Sequence, residues 1–131
     1  MTHETIHPRG WLPAKGYSNG MLTKDGTLHI GGQIGWDENK VFAKGGFIPQ
    51  MTQTLRNIVA IVEAANGQVS DITRLTWFIT DKSEYLAHQA EVGRAYRDVL
   101  GKHFPAMSMI IVSGLVEDKA LIEIEATAHI G

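Results

Sequence analysis

The chain has no cysteine among its 131 residues, which excludes disulfides, thiolate nucleophiles and cysteine-based zinc sites. It also has no charge excess of the kind that nucleic-acid binding needs, because 12 Lys and Arg stand against 14 Asp and Glu. No apolar run approaches the about 20 residues that span a bilayer, and residues 1–5 show no basic and apolar signal segment. These absences predict a soluble, cytoplasmic protein that binds neither nucleic acid nor a membrane.

Sequence motifs for common catalytic sites are also missing. The six histidines do not combine into a ligand set at the spacing of known metal motifs, so no metal site is predicted. The chain contains no G-x-S-x-G nucleophile elbow and no glycine motif for binding phosphate. A length near 130 residues is typical of one domain, and we expect residues 1–131 to form a single one.

Two kinds of hydrophobic periodicity are present. Apolar residues at steps of three and four predict a helix from Ile48 to Ala65 that ends at Asn66-Gly67. Asp81 predicts the cap of a second helix, with a stripe at Leu86, Ala90, Gly93, Tyr96 and Leu100. Alternation and turn signals predict strands near residues 5–7, 17–22, 27–30, 72–80, 107–112 and 121–130.

These elements predict an α+β fold in which two helices cover one face of a single sheet. The Asp25-Gly26 pair predicts a tight hairpin turn, and the glycines at 31, 32 and 35 predict a bulge or a close backbone approach. Several large apolar residues would remain exposed on the free face of such a sheet. We therefore expect this face to pack against another subunit.

Glu123 and Glu125 are the most informative ionisable pair, because alternation places both on one side of the last strand. A carboxylate near apolar neighbours can have a raised pKa and act as an acid or a base. The alternative is a strand that keeps one face polar for solubility.

An ordered set of short motifs resembles one known family across essentially the whole chain. The motifs are Gly16-Tyr17-Ser18, Gly32-Gln33-Ile34, Asn57-Ile58, residues 61–67, Phe104-Pro105-Ala106-x-Ser108 and residues 122–128. Together they resemble the RidA (YjgF-type) family of imine and enamine deaminases. The resemblance implies a chorismate-mutase-like α+β fold, a homotrimer with a central barrel, and small-molecule pockets in the clefts between subunits. It also implies hydrolysis of 2-imino acids to 2-keto acids and ammonia, with no metal or organic cofactor.

The resemblance further implies roles for individual residues. Glu125 would position the attacking water, Tyr17 would supply a pocket hydroxyl, and the backbone at Gly32 would approach the substrate. Ser108 belongs to the family's P-A-R-S motif. In that motif this chain has Met107 in place of the arginine that clamps the substrate carboxylate by a bidentate pair.

Methionine cannot pair with an anion, so we expect the pocket to be kept and its ligand to be changed. A more apolar pocket would use Met107, Phe78 and Trp36. Arg74 and Arg94 are cations that could replace the clamp. Two main functions remain open: a small-molecule hydrolase with an altered substrate, and a non-catalytic trimer that binds or senses a small metabolite. A ribonuclease is disfavoured by the balanced charge.

Overall fold

A computed structural model describes residues 3–131 and places six strands in one mixed sheet. The sheet order is β1-β2-β3-β6-β4-β5, and every neighbouring pair is antiparallel except β4 and β5. The strands are β1 His3–Ile6, β2 Gly20–Thr23, β3 Thr27–Ile34, β4 Ile72–Ile79, β5 Ala106–Ile111 and β6 Ile122–His129. The helices are α1 Phe47–Ala64, α2 Lys82–Ala87 and α3 Gln89–Leu100, and a short 3-10 turn spans Val69–Asp71. The predicted α+β class and single mixed sheet are confirmed.

The hairpin and the bulge lie where glycine predicts them. Gly26 has a φ of 92° and its N–H donates to the carbonyl of Thr23 at 3.1 Å, which closes the turn between β2 and β3. The pairing of β3 with β6 shifts register between Ile30 and Gln33. Gly31 and Gly32 of β3 lie opposite the single residue Glu125 of β6, so the glycine-rich segment is a β-bulge with one extra residue.

Helix α1 packs its apolar stripe on the sheet, as its periodicity predicts. Met51, Leu55 and Ile58 are fully buried against the inward residues of β6. The helix comes very close to the sheet at Gly35, where a Cβ would lie 2.6 Å from the Cβ of Gln50. Asn66 adopts a φ of 64° after the helix, a left-handed conformation that ends it.

The second helix differs from its prediction, because it is broken at His88 into α2 and α3. The His88 Nδ1 lies 2.9 Å from the carbonyl of Glu84 and takes the acceptor that a continuous helix would offer to a backbone N–H. The predicted stripe is wrong at its start, because Leu86 is 52% exposed and Ala90 is also exposed. It is right at its end, where Leu100 is buried and Tyr96 packs against the core. The other buried residues of α3 are Val92 and Ala95.

The sheet has one face under the helices and one face open. Leu75, Trp77 and Ile79 of β4 are buried on the helix side, whereas Phe78 is paired across the sheet with Glu123 on the other side. The outer strand β5 exposes Ile110 and Ile111. Among residues 3–131, no helix is long and apolar enough to cross a bilayer.

Candidate functional site

A cleft of about 360 Å³ opens beside the glycine bulge, and we call it the Glu123 cleft. Its walls come from the segment before β2, the bulged part of β3, the loop after β5 and the beginning of β6. The residues that line the cleft include Tyr17, Gly32, Gln33, Trp36, Val116 and Glu123. Residues far apart in the sequence meet here because β6 is inserted between β3 and β4.

Two carboxylates line this cleft, the exposed one of Glu117 and the more buried one of Glu123. Glu123 is the candidate functional group. Its side chain is half-buried, and burial raises its pKa above the ordinary value, with the nearby charge of Glu125 adding to the rise. Within residues 3–131 its oxygens accept no hydrogen bond. A Cβ on Gly32 would lie 2.7 Å from the Glu123 carboxyl carbon, so the carboxyl group rests directly on the glycine backbone.

Buried polar side chains hold the bulge in shape. The Gln33 Nε2 donates to the Oδ1 of Asn19 at 3.2 Å and to the carbonyl of Gly31 at 3.1 Å. The N–H of Gly31 in turn donates to the carbonyl of Asn19 at 2.9 Å. The Asn19 Nδ2 also lies 3.2 Å from the Nδ1 of His7. These bonds give the buried amides partners and fix the wall next to Glu123.

Helix α1 fixes two further borders of the cleft. The Asn57 Nδ2 donates to the carbonyls of Ile34 and Trp36 at 3.0 and 2.7 Å. The Gln50 Nε2 donates to the carbonyl of Lys119 at 2.9 Å, and the Gln50 Oε1 accepts from the N–H of Leu121 at 2.9 Å. The helix thereby anchors the chain after β3 and the chain before β6.

Two of the three aromatic residues predicted for the pocket, Tyr17 and Trp36, line the cleft. Tyr17 is 51% exposed, so its ring is accessible to a ligand. The Trp36 ring lies 5.5 Å from the ring of Phe42, and the Nζ of Lys40 stands 5.5 Å from its centroid. Tyr17 and Gly32, which the resemblance implied, and Trp36, which the expected apolar pocket added, are therefore together at one site.

The structure does not bring Glu125, Phe78 or Ser108 to the cleft wall. Glu125 lies on the same strand and face as Glu123, but it is exposed and two residues farther along. Phe78 is the register partner of Glu123 on β4, and Ser108 is exposed on β5 opposite Thr76. The resemblance predicted Glu125 as the functional glutamate, whereas the glutamate of this strand that lines the cavity is Glu123.

Met107 lines a different cavity of about 330 Å³, between α3 and the β4-β5 edge. We call it the aromatic chamber; its main walls are Trp77, Tyr85, Tyr96, Phe104, Met107 and Met109. Met107 is in register with the buried Leu75 and faces the helix side of the sheet. Glu123 faces the opposite side, two strands or about 10 Å away across the sheet. One chain therefore does not place both residues on one small ligand.

Neither arginine considered as a substitute clamp borders these cavities. Arg74 and Arg94 are both exposed, on β4 and α3 respectively, and neither lines the Glu123 cleft or the aromatic chamber. In the described part of the chain, no group of three or more His, Asp and Glu is placed to hold a metal ion.

Comparison with known proteins decides the family. A model of the family described as endoribonuclease L-PSP matches residues 10–130. The chain belongs to the endoribonuclease L-PSP family. The RutC family protein UK114 of Drosophila melanogaster is 32% identical over 114 residues, which cover 86% of this chain and 79% of that protein.

Solved structures of this family share the fold. RidA from the Antarctic bacterium Psychrobacter is 29% identical, with a TM-score of 0.82 and coverage of 97% of this chain and 99% of that one. Escherichia coli TdcF, solved with bound serine, is 28% identical, with a TM-score of 0.82 and coverage of 98% and 99%. The predicted resemblance to the RidA family is confirmed.

Sequence reasoning about this L-PSP family member missed two features. It singled out the Glu123 and Glu125 pair, but alternation could not show which one lies beside Gly32. It assigned Met107 to the pocket of Tyr17 and Trp36, and did not place it beside Trp77 and Tyr96. The alternation of Met107 and Met109 on β5 was a signal for a shared face, but their contact with Trp77 depends on how β5 pairs with β4.

Proposed function

We propose that this protein is a small-molecule hydrolase that adds water to the C=N carbon of an imine, with Glu123 as the residue that orders and deprotonates the water. The water oxygen bonds to the imine carbon while its proton passes to the Glu123 carboxylate. That proton is then returned to the nitrogen, which gives a carbinolamine. The carboxylate next carries the hydroxyl proton of this intermediate to the nitrogen, the C–N bond breaks as the C=O bond forms, and a carbonyl compound and ammonia leave. The water role thus moves from Glu125, which the resemblance suggested, to Glu123.

The half-buried, unpaired carboxylate in the cleft is the observation that supports this proposal. Its raised pKa makes it a stronger proton acceptor than an exposed glutamate. Because its oxygens accept no hydrogen bond from residues 3–131, they remain free to hold a water. A metabolite-binding protein without catalysis would have no need to keep a carboxylate in this costly environment.

We further propose that two copies of the chain complete each site. Met107 and Glu123 face opposite sides of one sheet, so a second copy has to bring its β5 edge to the Glu123 cleft of the first. The exposed Ile110 and Ile111 on β5 support such an interface. The family resemblance implies a homotrimer, and a solution mass of three chains is the expected result in light scattering.

RNA cleavage, the activity in the family's description, gains no support from this cleft. Its described lining contains Glu117 and Glu123 and no lysine or arginine. A phosphate backbone would meet negative charge there, against the requirement for cationic contacts.

A matched pair of variants tests the proposed function. Imines are generated in situ by an amino-acid oxidase, and their hydrolysis is followed for the wild type, Glu123→Gln and Glu125→Gln. Loss of the base should slow Glu123→Gln by roughly 100- to 10,000-fold, whereas Glu125→Gln should stay near the wild-type rate. The reverse order would assign the role to Glu125, and equal rates for all three proteins would contradict a carboxylate mechanism.

A further inference from the structure

The aromatic chamber is built from rings that lie roughly parallel. The Tyr96 ring stacks on Phe104 with centroids 5.5 Å apart and an interplanar angle of 9°, and it lies 6.4 Å from the Trp77 ring at 29°. Met107 and Met109 complete the wall with thioethers, which contact aromatic groups favourably. Among the described residues, 3–131, no charged side chain lines the cavity. Its surface is therefore suited to a flat, uncharged group.

Two contacts keep the central ring in place. The Tyr96 hydroxyl donates to the carbonyl of His103 at 2.8 Å, and the His103 Nε2 lies 2.7 Å from the carbonyl of Ile72. Contacts within the protein thus hold the Tyr96 ring between α3 and the start of β4, whether or not a ligand is bound. A preformed ring requires little ordering when a ligand stacks on it.

An unpaired donor belongs to the same wall. In residues 3–131, the Nε1 of Trp77 is the one buried side-chain nitrogen or oxygen without a hydrogen-bond partner. Burying such a group unpaired is unfavourable, and native structures rarely leave one without a reason. The nitrogen itself is closed to water, so other atoms of the Trp77 ring line the chamber.

Space and access also fit a ligand. A cavity of about 150 Å³ is enough for benzene, so the chamber's 330 Å³ leaves room for a two-ring system. Gly93 lines the α3 wall without contributing a side chain. Phe104 and Met107 are 67% and 50% exposed, which places the mouth at the β5 edge.

We propose that the aromatic chamber is a specificity subsite for a planar, apolar group, an aryl ring or a conjugated chain, carried by the substrate. At the position where the family's arginine would bind the substrate carboxylate, this chain would instead bind the planar side group of the substrate. The assignment to a substrate rests on the proposed hydrolase function, because the second copy's Glu123 would face the chamber mouth. Binding of the ring itself depends on the chamber alone.

Binding is tested with quinoline, a two-ring aromatic with one acceptor, and with cyclohexanol as a non-planar control. The indole N–H signals of the three tryptophans are followed by ¹H-¹⁵N NMR. Quinoline should move the Trp77 signal and leave those of Trp11 and Trp36 in place, and cyclohexanol should move none. No change at Trp77, or a change at Trp36 alone, would overturn the proposal.

A variant at the mouth gives a second measurement that does not depend on an intact core. Phe104→Ala removes an exposed ring, and quinoline should bind it roughly 3- to 10-fold more weakly. Leu86→Ala removes an exposed apolar side chain of α2 outside the chamber and should bind quinoline like the wild type. Equal binding by both variants would contradict stacking in the chamber.

Turnover then separates this inference from the proposed function. Imines from phenylalanine should give a kcat/KM at least tenfold above that for imines from alanine, and Phe104→Ala should lower only the former. Hydrolysis of both imines at equal rates would refute the subsite and leave the hydrolase proposal intact. A Trp77 shift without turnover of either imine would refute the hydrolase and leave the aromatic subsite standing.

Discussion

The amide of Asn57 is predicted to be the main stabilising contact of the Glu123 cleft. The residue is 4% exposed and donates to the carbonyls of Ile34 and Trp36. Replacing it by alanine removes both bonds and leaves two acceptors without a donor. Each lost bond to a buried acceptor costs about 1–3 kcal/mol, so Asn57→Ala should lower the free energy of unfolding by roughly 2–6 kcal/mol. That is a large part of the about 5–15 kcal/mol typical of a domain.

The assay is urea unfolding followed by tryptophan fluorescence, with Gln53→Ala as the matched control. The Gln53 Nε2 donates to the Oδ1 of the same asparagine at 2.8 Å, on the partly exposed side. We expect Gln53→Ala to cost about 1 kcal/mol or less, and the double variant to be less destabilised than the sum of the two. An Asn57→Ala protein as stable as Gln53→Ala would refute the reasoning about the two carbonyls.

Three further predictions concern the site itself. Burial raises the pKa of Glu123 above 4.5. The carboxyl group therefore binds its proton more tightly in the folded protein than in the unfolded chain. Once pH exceeds the folded pKa, the ionised carboxylate destabilises the folded protein. Glu123→Gln should therefore raise the melting temperature at pH 7, and the gain should fade as pH falls toward 4.5; a lower melting temperature at pH 7 would be the contrary result. Gly32→Ala places a methyl group against the Glu123 carboxyl and should lower kcat roughly tenfold or more. Gly114 has open space around it, so the control Gly114→Ala should leave kcat unchanged. Equal kcat in both variants would argue against close contact between the Gly32 backbone and the Glu123 carboxyl. Met107→Arg should lower the KM for alanine-derived imines roughly tenfold through a bidentate carboxylate pair, and Met107→Lys should do so less; an unchanged KM in both would show that the carboxylate does not reach this position.

The regular elements could be predicted because their patterns are long and locally consistent. Helix α1 has its apolar stripe at the expected steps, and the alternating residues of β6 are buried at Ile122 and Ile124. The break at His88 could not be predicted from the stripe, because it depends on one side chain competing for the Glu84 carbonyl.

The candidate site could be predicted only in part, for a reason of register. Glu123 and Glu125 share a face, and only the pairing of β6 with the bulged β3 decides that Glu123 lies on Gly32. The aromatic chamber likewise depends on the parallel pairing that puts Met109 beside Trp77. Such pairings join residues far apart in the chain, and no local pattern encodes them.

The most direct test of a site shared between subunits is complementation between two inactive variants. Glu123→Gln lacks the carboxylate, and Met107→Asp places a charge at the mouth of the aromatic chamber. Each protein should be inactive alone while keeping the mass of the native assembly. Refolded together in equal amounts, they should recover about a quarter of the wild-type imine hydrolysis, because one ordered subunit pairing in four joins two intact halves. Mixed assemblies that form and yet remain inactive would contradict the account.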